Sequence, residues 1–234
     1  PSSTTDSIPT ILWSFTEALK YFTTVDYTTH RSTIVVKEEV RSGWFTSASK
    51  PIAYKNFQPA DLELPFLIAQ IDYNPQSTEH YQMLSTLYNF FIDSKNPVEK
   101  VGFSKDSTTK NWEKLGFQGN DPRTDLNRSM KMLSVVQMLS FIEQDANMAQ
   151  RLFDLSQSAC DVTAGSLSVA ERNVRAKGDT SWPFFCVGIL FTKEALQALR
   201  RGVLNDKCMK HQTIFGIVNT FHRACFAEFE RYEK

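Results

Sequence analysis

Between Arg128 and Ile142 the chain carries Met130, Met132, Leu133, Val135, Val136, Met138, Leu139, Phe141 and Ile142, which fall on most faces of a helix. A helix apolar around its girth exposes hydrophobic surface whichever way it turns, so it must be enclosed by other elements. The rest of the chain supplies candidates with a single apolar face. Ile11, Leu12, Phe15, Leu19 and Phe22 recur at intervals of mainly three and four, as do Tyr81, Leu84, Leu87, Tyr88 and Phe91 within Ser77 to Asp93. Further helices are read from about Asp145 to Cys160, from Pro183 through Leu199 with Gly202 closing it, and from Ile214 to Tyr232. Eighteen Phe against nine Gly and nine Pro favours long packed helices over a many-turned β architecture. The expected fold is all-α, a compact bundle of about eight helices.

The connectors divide the chain. Pro1 to Pro9 reads as a frayed Ser/Thr-rich tail, and residues 10–60 as a helical extension plus connector ahead of a main domain at 61–234. Ile34 to Trp44 is read as helix, while Lys50 to Pro65, with Pro51, Pro59 and Pro65, is read as irregular and ending in the apolar piece Phe66 to Ile71. Asn96 to Lys110 and Val162 to Asp179 are expected to be loops. Opening on Pro1 rather than Met, the chain is read as processed or excised from a longer one.

Charge and motifs exclude several classes. Twenty-six basic against twenty-six acidic side chains give nothing that steers the chain toward nucleic acid or anionic lipid. The longest apolar run, Trp182 to Phe191, is well short of the ~18 residues of a membrane span. No basic-then-apolar leader is seen, and four widely spaced cysteines suit a reduced, cytoplasmic setting. Neither a phosphate-cradling G-x-x-x-x-G-K-S/T loop nor a G-x-G-x-x-G is present, so the chain by itself is expected to bind no nucleotide and no cofactor. Cys208-x-x-His211 and His222-x-x-Cys225 have metal-like spacing, but on one continuous helix the two histidines would lie about 16 Å apart, too far to share an ion. Core cysteines and surface or capping histidines are expected instead.

Just ahead of the apolar helix runs W-E-K-L-G-F-Q-G-N-D-P-R-T-D-L-N-R-S, from Trp112 to Ser129. Gly116 is placed to follow a helix end, Gly119-Asn120-Asp121-Pro122 is dense turn chemistry, and Thr124 or Asp125 is placed to cap the next helix. The stretch resembles the signature of the ELMO (engulfment and cell motility) domain: a Trp, then Gly-Phe-Gln, a Pro, and Thr-Asp-Phe-Arg-Gly opening a long apolar helix. Met83-Leu84-Ser85-Thr86-Leu87-Tyr88 is similar to the preceding ELMO helix, and Trp182 to Thr192 to the Pro-Phe…Val-Gly-Ile segment that follows. The resemblance covers about Asp61 to Glu233 and is greater to the small GTPase-activating branch than to the large scaffold branch.

That resemblance implies a protein that stimulates GTP hydrolysis by an Arf-family or Arf-like small GTPase through an arginine finger. Aligned without a gap, the family's arginine falls on Asn127; one extra residue near Leu126-Asn127 puts Arg128 on it and Ser129 on the glycine. Helical phase favours the insertion, because a one-residue slip rotates every apolar side chain by about 100°. Arg128 is therefore the candidate finger and Arg123 the fallback. Gln118, Asn120, Asp125 and Asn127 are candidate partner contacts, Asp125 also a cap, while Trp112, Gly116, Phe117 and Pro122 are expected to hold the turn. The alternative implied by the scaffold branch is a non-catalytic module supporting a Rac-type exchange factor.

Overall fold

The computed structural model describes residues 12–36, 57–92, 111–157 and 182–232. Among them are nine α-helices and no strand: α1 Phe15–Thr24, α2 Pro59–Ile68, α3 Thr78–Phe91, α4 Arg123–Leu126, α5 Lys131–Gln144, α6 Ala146–Gln157, α7 Phe184–Arg200, α8 Asn205–His211 and α9 Phe215–Tyr232. Every residue of α5 from Met132 to Phe141 is buried, Ser134, Gln137 and Ser140 included. Helices α1, α2, α3, α6, α7 and α9 all pack against it. The all-round apolar helix is thus the axle of the bundle, and its enclosure is what its sequence required.

Phenylalanine fills the space between helices. Phe91 of α3, Phe153 of α6 and Phe184 of α7 meet with ring centroids 4.9 to 5.4 Å apart, and Phe141 of α5 stacks on Phe226 of α9 at 4.6 Å. Offset and edge-on aromatic pairs add to the burial of their large surfaces. Helix α1 starts at a capping box, in which the Ser14 hydroxyl accepts from Glu17 N–H and the Glu17 carboxylate accepts from Ser14 N–H. Its Ala18 and Phe22 are fully buried in the same core as the later helices.

Five local expectations need correction. The stretch read as irregular up to Pro65 is helical from Pro59: proline suits the first helical turn, and buried Leu62, Phe66, Leu67 and Ile68 hold the helix despite Pro65 within it. Ile34 to Val36, read as the start of a helix, is not helical. Thr124 and Asp125 do not cap α5 but lie inside the short α4. At the start of α5, Lys131 has φ 52° and Met132 N–H donates to Ile71 O at 3.1 Å, so the turn after α2 does what a capping side chain would do. The C-terminal region is two helices, broken at Gln212 with φ 53°. His222 is fully buried rather than at the surface, while His211 is exposed. Among the described residues no group of three or more His, Cys, Asp or Glu is placed to hold a metal. The tail Pro1–Pro9, most of Ile34–Trp44, Lys50–Asn56, the loops at Asn96–Lys110 and Val162–Asp179, and Cys160 lie outside the described residues.

Two buried histidines make stability depend on pH. Burial lowers His80 and His222 from 6.5 to about 4; the His80 Nδ1 accepts from Asn74 N–H, and His222 Nε2 lies 3.3 Å from Gly188 O. Both rings are neutral in the folded protein, so between pH 6.5 and 4 the unfolded chain holds more protons. The stabilisation is complete above pH 6.5 and is lost as pH falls toward 4. Melting temperature, followed by circular dichroism, should fall steadily from about pH 6.5 to 5, before most carboxylates titrate. A flat profile through that window would contradict the assignment.

Candidate functional site

The turn ahead of α4 is fastened to the start of α7. Trp112–Leu115 forms one 3-10 turn, ended by Gly116 at φ 92°. A Cβ on Gly116 would sit 2.3 Å from the backbone nitrogen of Phe184 and 2.7 Å from that of Phe185, so a side chain is excluded by fixed backbone as well as by conformation. Cys186 N–H donates to Gly116 O at 3.2 Å, and the next residue, Phe117, stacks on Phe185 at 4.3 Å. Trp112 is fully buried, its ring 5.3 Å from Tyr88 and 6.3 Å from Phe117. Pro122 is buried as well. These are the four residues expected to hold the turn.

On this base stands a polar cluster centred on Asp125, which is only 5% exposed. Its carboxylate accepts from Gln118 N–H at 2.8 Å and from Arg128 Nη2 at 3.1 Å. Burial beside that carboxylate pushes the half-buried Cys186 thiol up to about 12, which keeps it protonated and donating to Asp125. Arg128 closes the cluster from outside: Nε donates to Thr124 O at 2.7 Å and Nη2 also reaches Gln118 Oε1 at 3.1 Å, yet its side chain is 69% exposed. The result is an arginine held at its inner edge and open outward.

The neighbouring candidates divide by depth. Gln118, Asn120 and Arg123 are exposed. Arg123 lies against Asp121, donating from Nε to both carboxylate oxygens and from Nη2 to one of them at 2.6 Å, and this guanidinium holds the Asp121 carboxyl below its usual range. Asn127 faces inward: its Oδ1 accepts from Tyr73 N–H at 2.7 Å and its Nδ2 donates to Tyr73 O at 3.2 Å, tying α4 to the turn after α2. Lys131 reinforces the tie through Gln70 O at 3.2 Å and Asp72 at 2.9 Å. Replacing Asn127 with Ala leaves both Tyr73 backbone groups without their partner and should cost ~1 to 2 kcal/mol. Chemical denaturation would show it; an unchanged midpoint would remove the clamp from the account.

Reading the sequence missed this clamp and the Gln118–Arg128 contact. Tyr73 and Asn127 are 54 residues apart, and no local periodicity marks their pairing.

A family model described as the ELMO/CED-12 family matches residues 66–232. The chain belongs to the ELMO/CED-12 family. It is similar to ELMO domain-containing protein 3 of Mus musculus, 27% identical over 233 residues, covering 95% of this chain and 52% of the relative. The Homo sapiens protein 3 is 28% identical over 228 residues, 93% of this chain and 51% of the relative. ELMO domain-containing protein 1 of Homo sapiens is 31% identical over 138 residues, 56% and 39% of the two chains. These relatives are of the small ELMO-domain branch. The chain spans about half the length of the protein 3 relatives. No solved structure matches it significantly. ELMO-domain proteins are linked to small-GTPase pathways. Among the described residues no helix is long and apolar enough to cross a membrane.

Proposed function

We propose that this ELMO domain accelerates GTP hydrolysis by an Arf-family or Arf-like small GTPase in the cytoplasm, with Arg128 as an arginine finger. The observation that carries the reading is the state of Arg128: exposed over two thirds of its side chain, yet held along its inner edge by a buried carboxylate, a backbone carbonyl and an amide. A finger works by meeting charge that develops on the transferred phosphoryl group, and a planar guanidinium suits two phosphoryl oxygens at once. Holding it in place beforehand reduces the entropy lost when it docks.

The surrounding residues take roles by depth. Gln118, Asn120 and Arg123 form the contact rim, whereas Asp125 and Asn127 act from beneath by fixing the cluster and the helix that carries it. Arg123 is less suited to be the finger, because Asp121 already occupies its fork. The partner brings the nucleotide and magnesium.

The test is a panel of GTP-loaded Arf-family and Arf-like GTPases, with phosphate release followed in single turnover. At least one member should hydrolyse faster with this chain present. Binding to a member without faster hydrolysis would transfer preference to the scaffold reading, a module supporting a Rac-type exchange factor.

A further inference from the structure

Gln118 has more contacts than a rim residue needs. Its backbone N–H is anchored on Asp125, and the loop behind it is stacked on α7 through Phe117, so the Cα is fixed while the side chain stays exposed. Its carboxamide Oε1 lies 3.1 Å from Arg128 Nη2. Arg128 does not depend on that bond, for Asp125 and Thr124 O already hold it. A carboxamide also offers an acceptor and two donor protons in one plane, a combination neither a carboxylate nor a guanidinium provides.

We infer that Gln118 is a second catalytic residue inserted with Arg128, orienting the attacking water in the GTPase site. This rests on the arginine-finger reading. In small GTPases a glutamine of the enzyme itself orients that water; here the side chain beside the finger has the same chemistry, within hydrogen-bond distance of the guanidinium. The two side-chain tips already meet at 3.1 Å, so a partner that receives the guanidinium receives the carboxamide beside it.

The step proceeds as follows. When Arg128 turns its Nη2 toward the phosphoryl oxygens, Gln118 Oε1 is released and accepts a hydrogen bond from the water, while Nε2 donates a hydrogen bond to a γ-phosphoryl oxygen. The water oxygen forms a bond to the γ-phosphorus. The bond from that phosphorus to the β–γ bridging oxygen breaks, and its electron pair stays on GDP. One water proton passes to a γ-phosphoryl oxygen and the other stays on the attacking oxygen, so GTP and water become GDP and dihydrogen phosphate with no other reactant.

The experiment uses whichever panel GTPase the wild-type chain stimulates, in its native form and with its own water-orienting glutamine replaced by leucine. Gln118→Met keeps the side-chain length and the backbone N–H to Asp125 but removes the carboxamide, and its melting temperature should match wild type. With the native GTPase it should lower the stimulated rate by roughly 10²-fold, the size of losing one aligned donor. The decisive arm is the leucine variant: wild-type chain should still stimulate it, and Gln118→Met should not. If wild-type chain fails on the leucine variant while stimulating the native GTPase, Gln118 does not orient the water. Full stimulation by Gln118→Met, alongside loss in Arg128→Ala, would likewise remove this inference and leave the finger standing. Full stimulation by Arg128→Ala would remove the finger reading itself, and the inference built on it.

Discussion

Arg128→Ala should abolish the stimulated component of GTP hydrolysis, a loss of ~10³ to 10⁵ in turnover, or about 4 to 7 kcal/mol of transition-state stabilisation. Arg128→Lys should lose most of it too. Lysine keeps the charge but not the planar fork, and its ammonium cannot hold Thr124 O, Gln118 Oε1 and Asp125 Oδ1 in the same geometry. Some stability should go with the activity: although Arg128 itself is exposed, its partner Asp125 is 4% exposed at the side chain, and truncation strips a buried carboxylate of its countercharge. A decrease of ~1 to 2 kcal/mol is expected, so rates must be compared well below the melting temperature, with binding measured in parallel. Arg123→Ala is the comparison for charge loss at the rim: its guanidinium is paired to Asp121 at the surface and contributes little to folding, and any effect should fall on binding, with the stimulated rate at saturation kept. Full stimulation by both Arg128 variants would end the arginine-finger assignment.

Gly116→Ala should be the most destabilising single methyl added to this part of the chain. The residue has φ 92°, and the new Cβ would meet the Phe184 and Phe185 backbone nitrogens at 2.3 and 2.7 Å, atoms of a helix start that cannot rotate away. Either the turn lifts off α7, breaking the Cys186-to-Gly116 hydrogen bond and the Phe117–Phe185 stack, or α7 shifts in the core. Roughly 3 to 5 kcal/mol is expected, in the upper tail for point substitutions, which for a domain of this size is a fall of ~10 °C in melting temperature. Gly119→Ala is the internal comparison, because nothing lies within 4 Å of a Cβ there. It should melt close to wild type. Similar melting temperatures for the two variants would show that the turn is not bolted to α7 as described.

The two substitutions bear on different links. On the proposed reading Arg128 belongs to the face that meets a GTPase, whereas Gly116 belongs to the joint that keeps Gln118, Asp125 and Arg128 together. A partly unfolded Gly116→Ala chain should therefore lose partner binding and stimulation together, while Arg128→Ala should separate them.

The sequence by itself determined the helical bundle and its axle. Met132 to Phe141 is apolar around the helix, and no arrangement other than enclosure removes that surface from water. The turn chemistry of Gly116 to Pro122 and the family signature were also local, because they depend on side chains a few residues apart. What the tertiary structure decided is where α2 begins, what starts α5, where the last two helices part, and which side chains meet around Asp125. Pro59 and Pro65 disfavour order locally, but Leu62, Phe66 and Ile68 are buried by helices distant in sequence, and that burial outweighs the local preference. Asn127 and Arg128 are adjacent polar residues with similar claims to be exposed. Tyr73, 54 residues away, takes the first inward through two backbone hydrogen bonds, while Arg128, in the turn after α4, is held along its inner edge by Thr124 O and Asp125 and faces out.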